Sequence, residues 1–531
     1  MALARSSGAA TIQHGARTRT RLTAVAMAAA LALTACGVGG GPAGSGKPDP
    51  RAVLKYGDDF AAVGFITDPI DFRGNSRTRV WMDLIYDTMF HETASGPVPS
   101  LALDAEYPDA STIVLTLRDG VTFQDGTPFN ADAVKFSWDR FIATGDQRAT
   151  PALRAMQSVA VLAPNKVKVT LNTPVAGEWK NRLLMESSSG LGVVSPTAVR
   201  KAEAEGKNFR DHPVGAGPYS FTQWVPNQKV SLTKFDHYWN PKRQPVGGFE
   251  FIQTATGTPR ISALAAGTID MAGISPTDIP AAEGRGLGVK QLPTLYTMGI
   301  QFCTTRAPFD NLKARQGVVH ALDPAELNDL AFAGRGKLTQ LPLPPDSPYA
   351  DPELLHRYKF DRKQAATLLK EAGVAKGTTI TLGTDSREQV YTSTAEIIQA
   401  QLKEVGLDVR IQPYQDPLTL SESRPDIAVF RTTWPLHTAM MPGAPLNFCD
   451  WQNPEFTKNY PITRSVDADK ATLAAAYKAT EKAVSDDLPT WWFYGAAEFQ
   501  AHSSQVNADK AYTFKLSGFG QPDLTTFTMS E

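Results

Sequence analysis

Four groups of residues in this chain have types and spacings that could do chemistry. Ser187, Ser188 and Ser189 stand together. A serine nucleophile needs a G-x-S-x-G elbow and a histidine and acid to activate it. No elbow surrounds the run, and no His or Asp falls at an interpretable position, so it reads as a polar loop. Gly215 and Gly217 precede a strand-forming segment, 219–224. A phosphate cradle needs such glycines ahead of a helix N-terminus, so here they read as a tight backbone turn. The 8 histidines are scattered without metal-ligand spacing, and there is no H-E-x-x-H. The expectation is therefore no catalytic residue, no metal and no cofactor. Binding chemistry remains. Arg431, Trp434 and His437 follow the apolar segment 427–430. A guanidinium forks onto carboxylates, an indole walls a pocket, and an imidazole is neutral or cationic. The competing readings are a structural ion pair for Arg431 and core packing for Trp434.

These side chains need a scaffold. The segment 427–430 reads as a buried strand, and α/β sheets take ligands beyond the C-terminal ends of their strands. Upstream, 361–373 is an amphipathic helix. Asp361 caps it, Ala365, Leu368, Leu369 and Ala372 share a face, and Gly373 ends it. A strand over 378–383, a helix over 394–406 and a strand over 408–412 follow. That rhythm predicts a βαβ unit with a parallel pair. A further helix over 470–485 leads into an aromatic strand at 488–494. In the first half, 79–90 reads as a helix and 112–117 and 166–171 as half-buried strands. The residues 291–303 run extended, and 306–322 carry a helix. Between 118 and 140, Val121, Thr122 and Phe123 are β-formers. Asp125-Gly126 makes a turn, and Asn130 caps a helix with Asp132 in its first turn.

The chain has 531 residues, so several domains or lobes are expected. Formal net charge is -1, and the first 35 residues hold Arg5, Arg17, Arg19 and Arg21 with no acid. Removing those four charges leaves about -5, which argues against a nucleic-acid partner. The basic start, the apolar stretch 22–33 and Leu33-Thr34-Ala35-Cys36-Gly37 form a targeting segment. The apolar stretch is short for a membrane span. Small residues before Cys36 resemble the lipobox of bacterial lipoproteins. The expectation is a signal peptide over 1–35, a lipidated Cys36 and a flexible tether to residue 50. An ordinary secretion signal is the alternative. Cys303 and Cys449 are left in the body. Outside the cytoplasm such a pair favours a disulfide; two buried free thiols are the alternative.

The stretch 117–140 resembles the signature L-R-x-G-V-x-F-x-D-G-T-P of the family 5 extracellular solute-binding proteins. These are the peptide, nickel and oligosaccharide receptors of ABC importers. The matches are Leu117, Arg118, Gly120, Val121, Phe123, Asp125, Gly126, Thr127, Pro128, Ala131, Val134, Phe136, Ser137 and Arg140. Three further blocks agree in the family's order: Pro213 to Tyr219 with Tyr238-Trp239, Leu264 to Asp270, and Thr304 to Asp323. The departures include Ala133, His212, Ala216, Lys234, Cys303 and Pro324.

The resemblance implies an α/β chain with the type II periplasmic-binding-protein fold, two lobes around a deep cleft. Lobe I would take 51–293, with an extra subdomain near 90–200, and 500–531 would return to it. Lobe II would take 294–499. It implies no enzyme. It implies a monomeric receptor on the outer face of a bacterial cell membrane, held by its lipid anchor and serving an ABC permease and its ATPase. Asp68 falls in a segment that lies at the cleft rim in relatives. Peptide-binding relatives often carry an aspartate for the peptide's α-amino group where this chain has His437, while Arg431 and Trp434 are kept. Oligopeptide is the expected solute. A metal chelate, an oligosaccharide or another anionic small molecule is the alternative, and a secreted hydrolase or sensory lipoprotein is the alternative of another class.

Overall fold

The computed structural model describes residues 47–531 apart from 61–66, 72–78, 94–95, 146–150, 188–189, 293–295, 344, 346, 348, 387–388, 416–418, 420–421, 434–439, 441–446, 510–521 and 531. Cys36, Trp434 and His437 lie outside the described residues.

Three sheets organise the chain. A seven-stranded sheet runs in the order Gly288–Leu292, Glu498–His502, Met271–Ile274, Val53–Asp58, Gly248–Gln253, Lys229–Lys234 and Tyr219–Val225. Its three middle strands from Met271–Ile274 to Gly248–Gln253 are parallel. A six-stranded sheet runs Lys337–Leu338, Thr490–Gly495, Tyr296–Phe302, Ile427–Thr433, Thr379–Asp385 and Asp408–Tyr414. Thr379–Asp385 pairs in parallel with both of its neighbours, as a βαβ unit requires. A four-stranded antiparallel sheet, in the order Ala102–Asp109, Thr112–Leu117, Lys166–Leu171, Met156–Ala163, packs on the helix Ala131–Thr144. It is the centre of its own apolar cluster around Trp138 and Trp179.

Chain passes between the two large sheets twice, between Leu292 and Tyr296 and between Gly495 and Glu498. The two passages run antiparallel. Gly288–Leu292 pairs with Glu498–His502 on one side, and Tyr296–Phe302 with Thr490–Gly495 on the other. The extended run expected over 291–303 is thus two strands in different sheets. An apolar cluster runs through the passage: Phe332 packs on Tyr494 at 5.0 Å and on Phe499 at 6.0 Å between ring centroids.

Capping chemistry sets most helix starts where the sequence places them. Asn130 accepts from Ala133 N, Ser195 from Ala198 N, and Asp361 from Lys363 N and Gln364 N. Four expectations shift. The helix expected over 79–90 is Arg79–Tyr86, ended by Asp87 at φ 59°. The segment 306–322 is helical only over Leu312–Ala321. The helix expected from 394 is Gln389–Glu404; Thr394 does not cap it but donates to Val390 O at 2.6 Å. Thr122 forms only an isolated bridge to Pro128 where a strand end was expected.

Two polar junctions fix lobe I. Gln124, inside the first signature, donates to Ile85 O (2.9 Å), Gly217 O (3.2 Å) and Tyr219 O (2.9 Å), and accepts from Gly215 N (3.0 Å). A Cβ on Gly215 would stand 2.2 Å from Ile85 O, and one on Gly217 2.4 Å from Leu84 O. These glycines therefore admit the end of a helix rather than serve a turn. The second junction is Asp87. It accepts from Tyr238 OH (2.6 Å), Trp239 Nε1 (3.2 Å), Thr88 N (2.7 Å) and Ser100 Oγ (3.1 Å), with His91 Nε2 at 3.3 Å. Burial raises the Asp87 carboxyl above the usual range, against the pull of Arg243 and these donors. Burial, with Arg243 and Arg118 nearby, pushes His91 well below the usual imidazole value, against Asp523. Arg243 Nη2 donates to both Asp523 oxygens, at 3.1 and 3.3 Å, which ties the C-terminal residues to this lobe.

Cys303 and Cys449 form a disulfide, Cα–Cα 5.0 Å, closing a sequence separation of 146. A loop of that length should stabilise the fold by about 3–5 kcal/mol. The double change Cys303→Ala/Cys449→Ala should lower the unfolding free energy by that order in urea titration; an unchanged midpoint would contradict it. His91, neutral when folded, contributes stability that is fully present above its unfolded pKa of about 6.5 and is lost as pH falls below it. Between pH 6.5 and 5, His91→Gln should flatten the loss of unfolding free energy by up to about 1.4 kcal/mol per pH unit. Equal slopes would mean that His91 protonates freely in the fold.

Candidate functional site

The registers place the site. Ile274 at the C-terminal end of its strand pairs with Phe499, beside the passage. Parallel neighbours put the ends of Val53–Asp58 and Gly248–Gln253 on the same side. In the other sheet Tyr296 pairs with Thr433, so the C-terminal ends of Ile427–Thr433 and Thr379–Asp385 also face the passage. Both sheets thus turn the C-terminal ends of their parallel strands towards the crossover, where such sheets bind solutes.

Arg431 sits there, opposite Met298 in register. Its side chain is 13% exposed and its Nη1 lies 3.7 Å from Glu498 Oε1. Glu498 opens the strand Glu498–His502 of the other sheet, so the pair spans the two lobes. The guanidinium also lies 5.6 Å from the Tyr391 ring centroid, over the ring. Tyr391 reaches it because the helix Gln389–Glu404 begins five residues earlier than expected. Asp385, buried, ends the neighbouring strand. On the lobe I side Tyr56 OH donates to Gln500 Oε1 at 3.2 Å, and burial together with the Asp58 charge holds the phenol well above its usual value. The arrangement offers a fixed guanidinium, a carboxylate on each lobe and aromatic surface. That is equipment for holding a polar solute.

Asp68 is placed differently from Arg431. Its oxygens accept from Arg140 Nη1 (3.3 Å) and Nη2 (2.9 Å), the two side chains being 7% and 18% exposed. Ile70 N also donates to it. Asp68 is therefore committed within lobe I, to the last arginine of the signature helix. Glu498, Tyr391 and Asp385 were not found from sequence. A strand-end carboxylate or a lone tyrosine carries no spacing signal, and only the sheet registers and the helix start at Gln389 bring them near Arg431. Among the described residues no group of three His, Cys, Asp or Glu side chains could hold a metal ion.

Two α/β lobes, joined by two antiparallel passages with the strand ends turned to the junction, define a type II periplasmic-binding-protein fold. The chain belongs to the bacterial extracellular solute-binding proteins, family 5, whose model matches residues 96–454. It is 29% identical over 387 residues to the glutathione-binding protein GsiB of Salmonella typhi, covering 70% of this chain and 73% of that one. Among solved structures, the fold is similar to DppA from Helicobacter pylori in complex with the peptide STSA. The TM-score is 0.76 and identity 21%, covering 91% of this chain and 99% of that one. It is also similar to NikA from Brucella suis in complex with Fe(III)-EDTA, TM-score 0.75 and identity 21%, covering 91% and 100%. Family members serve ABC importers and act outside the cytoplasm. Among the described residues no helix is long and apolar enough to cross a membrane.

Asp68→Ala leaves Arg140 without its carboxylate. It should cost about 2 kcal/mol of unfolding free energy, the scale of a lost charged hydrogen bond in a largely buried place. Chemical denaturation checks this. A stability equal to the parent would mean that Asp68 is not a structural partner.

Proposed function

We propose that this chain is the lipid-anchored receptor of an ABC importer, that its solute is an oligopeptide, and that it delivers the loaded, closed form to the permease and its ATPase. The observation that carries the reading is Arg431. It is a guanidinium set at the converging strand ends and paired across the lobes to Glu498 at 3.7 Å. A solute bound there touches both lobes at once, so it favours the closed form by differential affinity. The names of relatives support a peptide. GsiB is named for glutathione, a tripeptide with two carboxylates, and DppA was solved with a peptide.

In this reading Arg431 takes a carboxylate of the solute, Trp434 walls the pocket, and His437 stands where peptide-binding relatives often hold an aspartate for the α-amino group. A solute gripped by its carboxylate, with a weaker hold on its ammonium, fits that exchange. Asp68 acts through Arg140, shaping the rim. Residues 1–35 are the signal peptide, Cys36 carries the lipid, and the chain to residue 50 is the tether. Lobe I comprises 51–293 and 498–531 and lobe II 294–497, because the strand Glu498–His502 lies in the seven-stranded sheet and moves the boundary expected at 499 by two residues, and the receptor works as a monomer.

Native mass spectrometry of the body expressed without residues 1–36, before and after denaturation and refolding, tests the solute. Released short peptides would support the reading, and a single non-peptide mass would replace it with that chemical class. With the released solute in hand, Arg431→Ala should weaken binding by about 2–3 kcal/mol in calorimetry, the scale of a charge-assisted bond. An unchanged affinity would make Arg431 a structural partner of Glu498 alone.

A further inference from the structure

A second contact joins the lobes, away from the strand passages. Its lobe I half is the helix Ala176–Asn181. That helix is anchored in the small four-stranded subdomain. Ala176 and Trp179 belong to its apolar cluster, and Trp179 Nε1 donates to Ala152 O at 3.1 Å. The lobe II half is the turn Tyr460–Arg464. Phe456 stacks on Tyr460 at 5.5 Å and meets Trp451 edge-on at 5.2 Å, in one cluster with Val484 of the helix Lys470–Asp487. Trp451 Nε1 and Asn453 Nδ2 both donate to Asp487 Oδ2, and the disulfide at Cys449 ties the approach to this segment to the strand Tyr296–Phe302. Each half is thus rigidly part of its own lobe.

Where they meet, Arg464 Nη2 donates to Glu178 Oε1 at 2.9 Å, with the side chains 5% and 4% exposed. Arg464 Nε donates to Tyr460 OH at 3.1 Å, which fixes the guanidinium. The backbones also touch. A Cβ on Gly177 would stand 1.7 Å from Arg464 O. Val466 packs against the subdomain's cluster. The lobes are covalently joined only through the two passages, so opening them draws this contact apart and returns both charges to water. We propose that Gly177, Glu178 and Arg464 form a closure latch. They are positioning residues outside the strand-end site, and they set the balance between open and closed receptor and, through it, solute affinity. This rests on the lobe-closure reading above.

The physics assigns each residue a distinct part. A buried ion pair gains little over an apolar contact of the same shape, but removing one partner strands a buried charge. The closed geometry is then accepted only when both charges are present or both absent. Gly177 sets how close the backbones come. Alanine there is a better helix former than glycine, so Gly177→Ala leaves the helix sound and blocks only the seating.

The test is small-angle X-ray scattering of the solute-free compact unit, residues 42–531, with thermal unfolding alongside. Gly177→Ala and Glu178→Gln should each raise the open-to-closed ratio by about tenfold or more, seen as a larger radius of gyration, and Gly177→Ala should do so without lowering Tm. The double change Glu178→Gln/Arg464→Met should return the radius towards that of the parent. Single variants with the parent's radius and a lower Tm would make the contact a fixed part of the fold and overturn the latch. So would a parent already as wide as Gly177→Ala. The comparison needs no solute, so an empty cleft in mass spectrometry, which would leave the receptor fold standing and fail to support the peptide, leaves it decisive.

Discussion

Two antiparallel passages of backbone are the constraint on which the rest of this molecule depends. They are the two covalent links between the seven-stranded sheet and the six-stranded one. They extend both sheets, so each lobe is held to its own end of a short paired ribbon. A ribbon of this kind bends with little loss of hydrogen bonds, whereas the packed lobes at either end do not deform. Everything that decides how the lobes sit is therefore non-covalent. It is distributed between the apolar contacts of Phe332 and Phe499, the Arg431–Glu498 pair and the distant Glu178–Arg464 pair.

A hinge is useful only between rigid bodies, and the two signature blocks supply that rigidity in lobe I. Gln124 from the first block and Gly215 and Gly217 from the second meet at the end of the helix Arg79–Tyr86. Tyr238 and Trp239, the tail of the second block, close on Asp87 just beyond it. The residues that identify the family are mostly of this kind. They join the large sheet to the small subdomain, and the chemistry of the solute is left to side chains at the strand ends. This explains why the motifs disclose the fold readily and the ligand hardly at all.

What was legible in the sequence follows the same division. Asn130 and Asp361 each cap a helix because a short polar side chain beside an apolar period has one strong use. The βαβ rhythm over 379–414 was readable from strand and helix periods. Thr394 misled because its hydroxyl offers the same cap signal but instead bonds back within a helix that starts upstream. Gly215 and Gly217 carry the sequence signal of turn glycines, since close approach of another element leaves no local mark. Arg431 is visible as a candidate because it follows an apolar run, 427–430. Its partners Glu498 and Tyr391 are not, because a contact made by sheet register has no signature along the chain. Asp68 and Arg140 both stand in recognised segments, yet nothing in either spacing shows that they face each other.

The energetic character of the interlobe contacts suits a receptor better than strong ones would. A solute binds with an apparent constant equal to its intrinsic one divided by the fraction of receptor competent to hold it. An apolar seam across the whole mouth would hold the empty lobes shut and bar entry. Lobes with no contact beyond the hinge would be held shut by the solute alone, at a cost in affinity. A buried Glu178–Arg464 pair gains little net free energy over water but penalises every misaligned arrangement, because each charge then lacks its partner. In the proposed latch it therefore specifies where the lobes meet and, with Gly177, sets how far the empty receptor lies from closure. What occupies the strand ends beside Arg431 then supplies only the remaining free energy of closure.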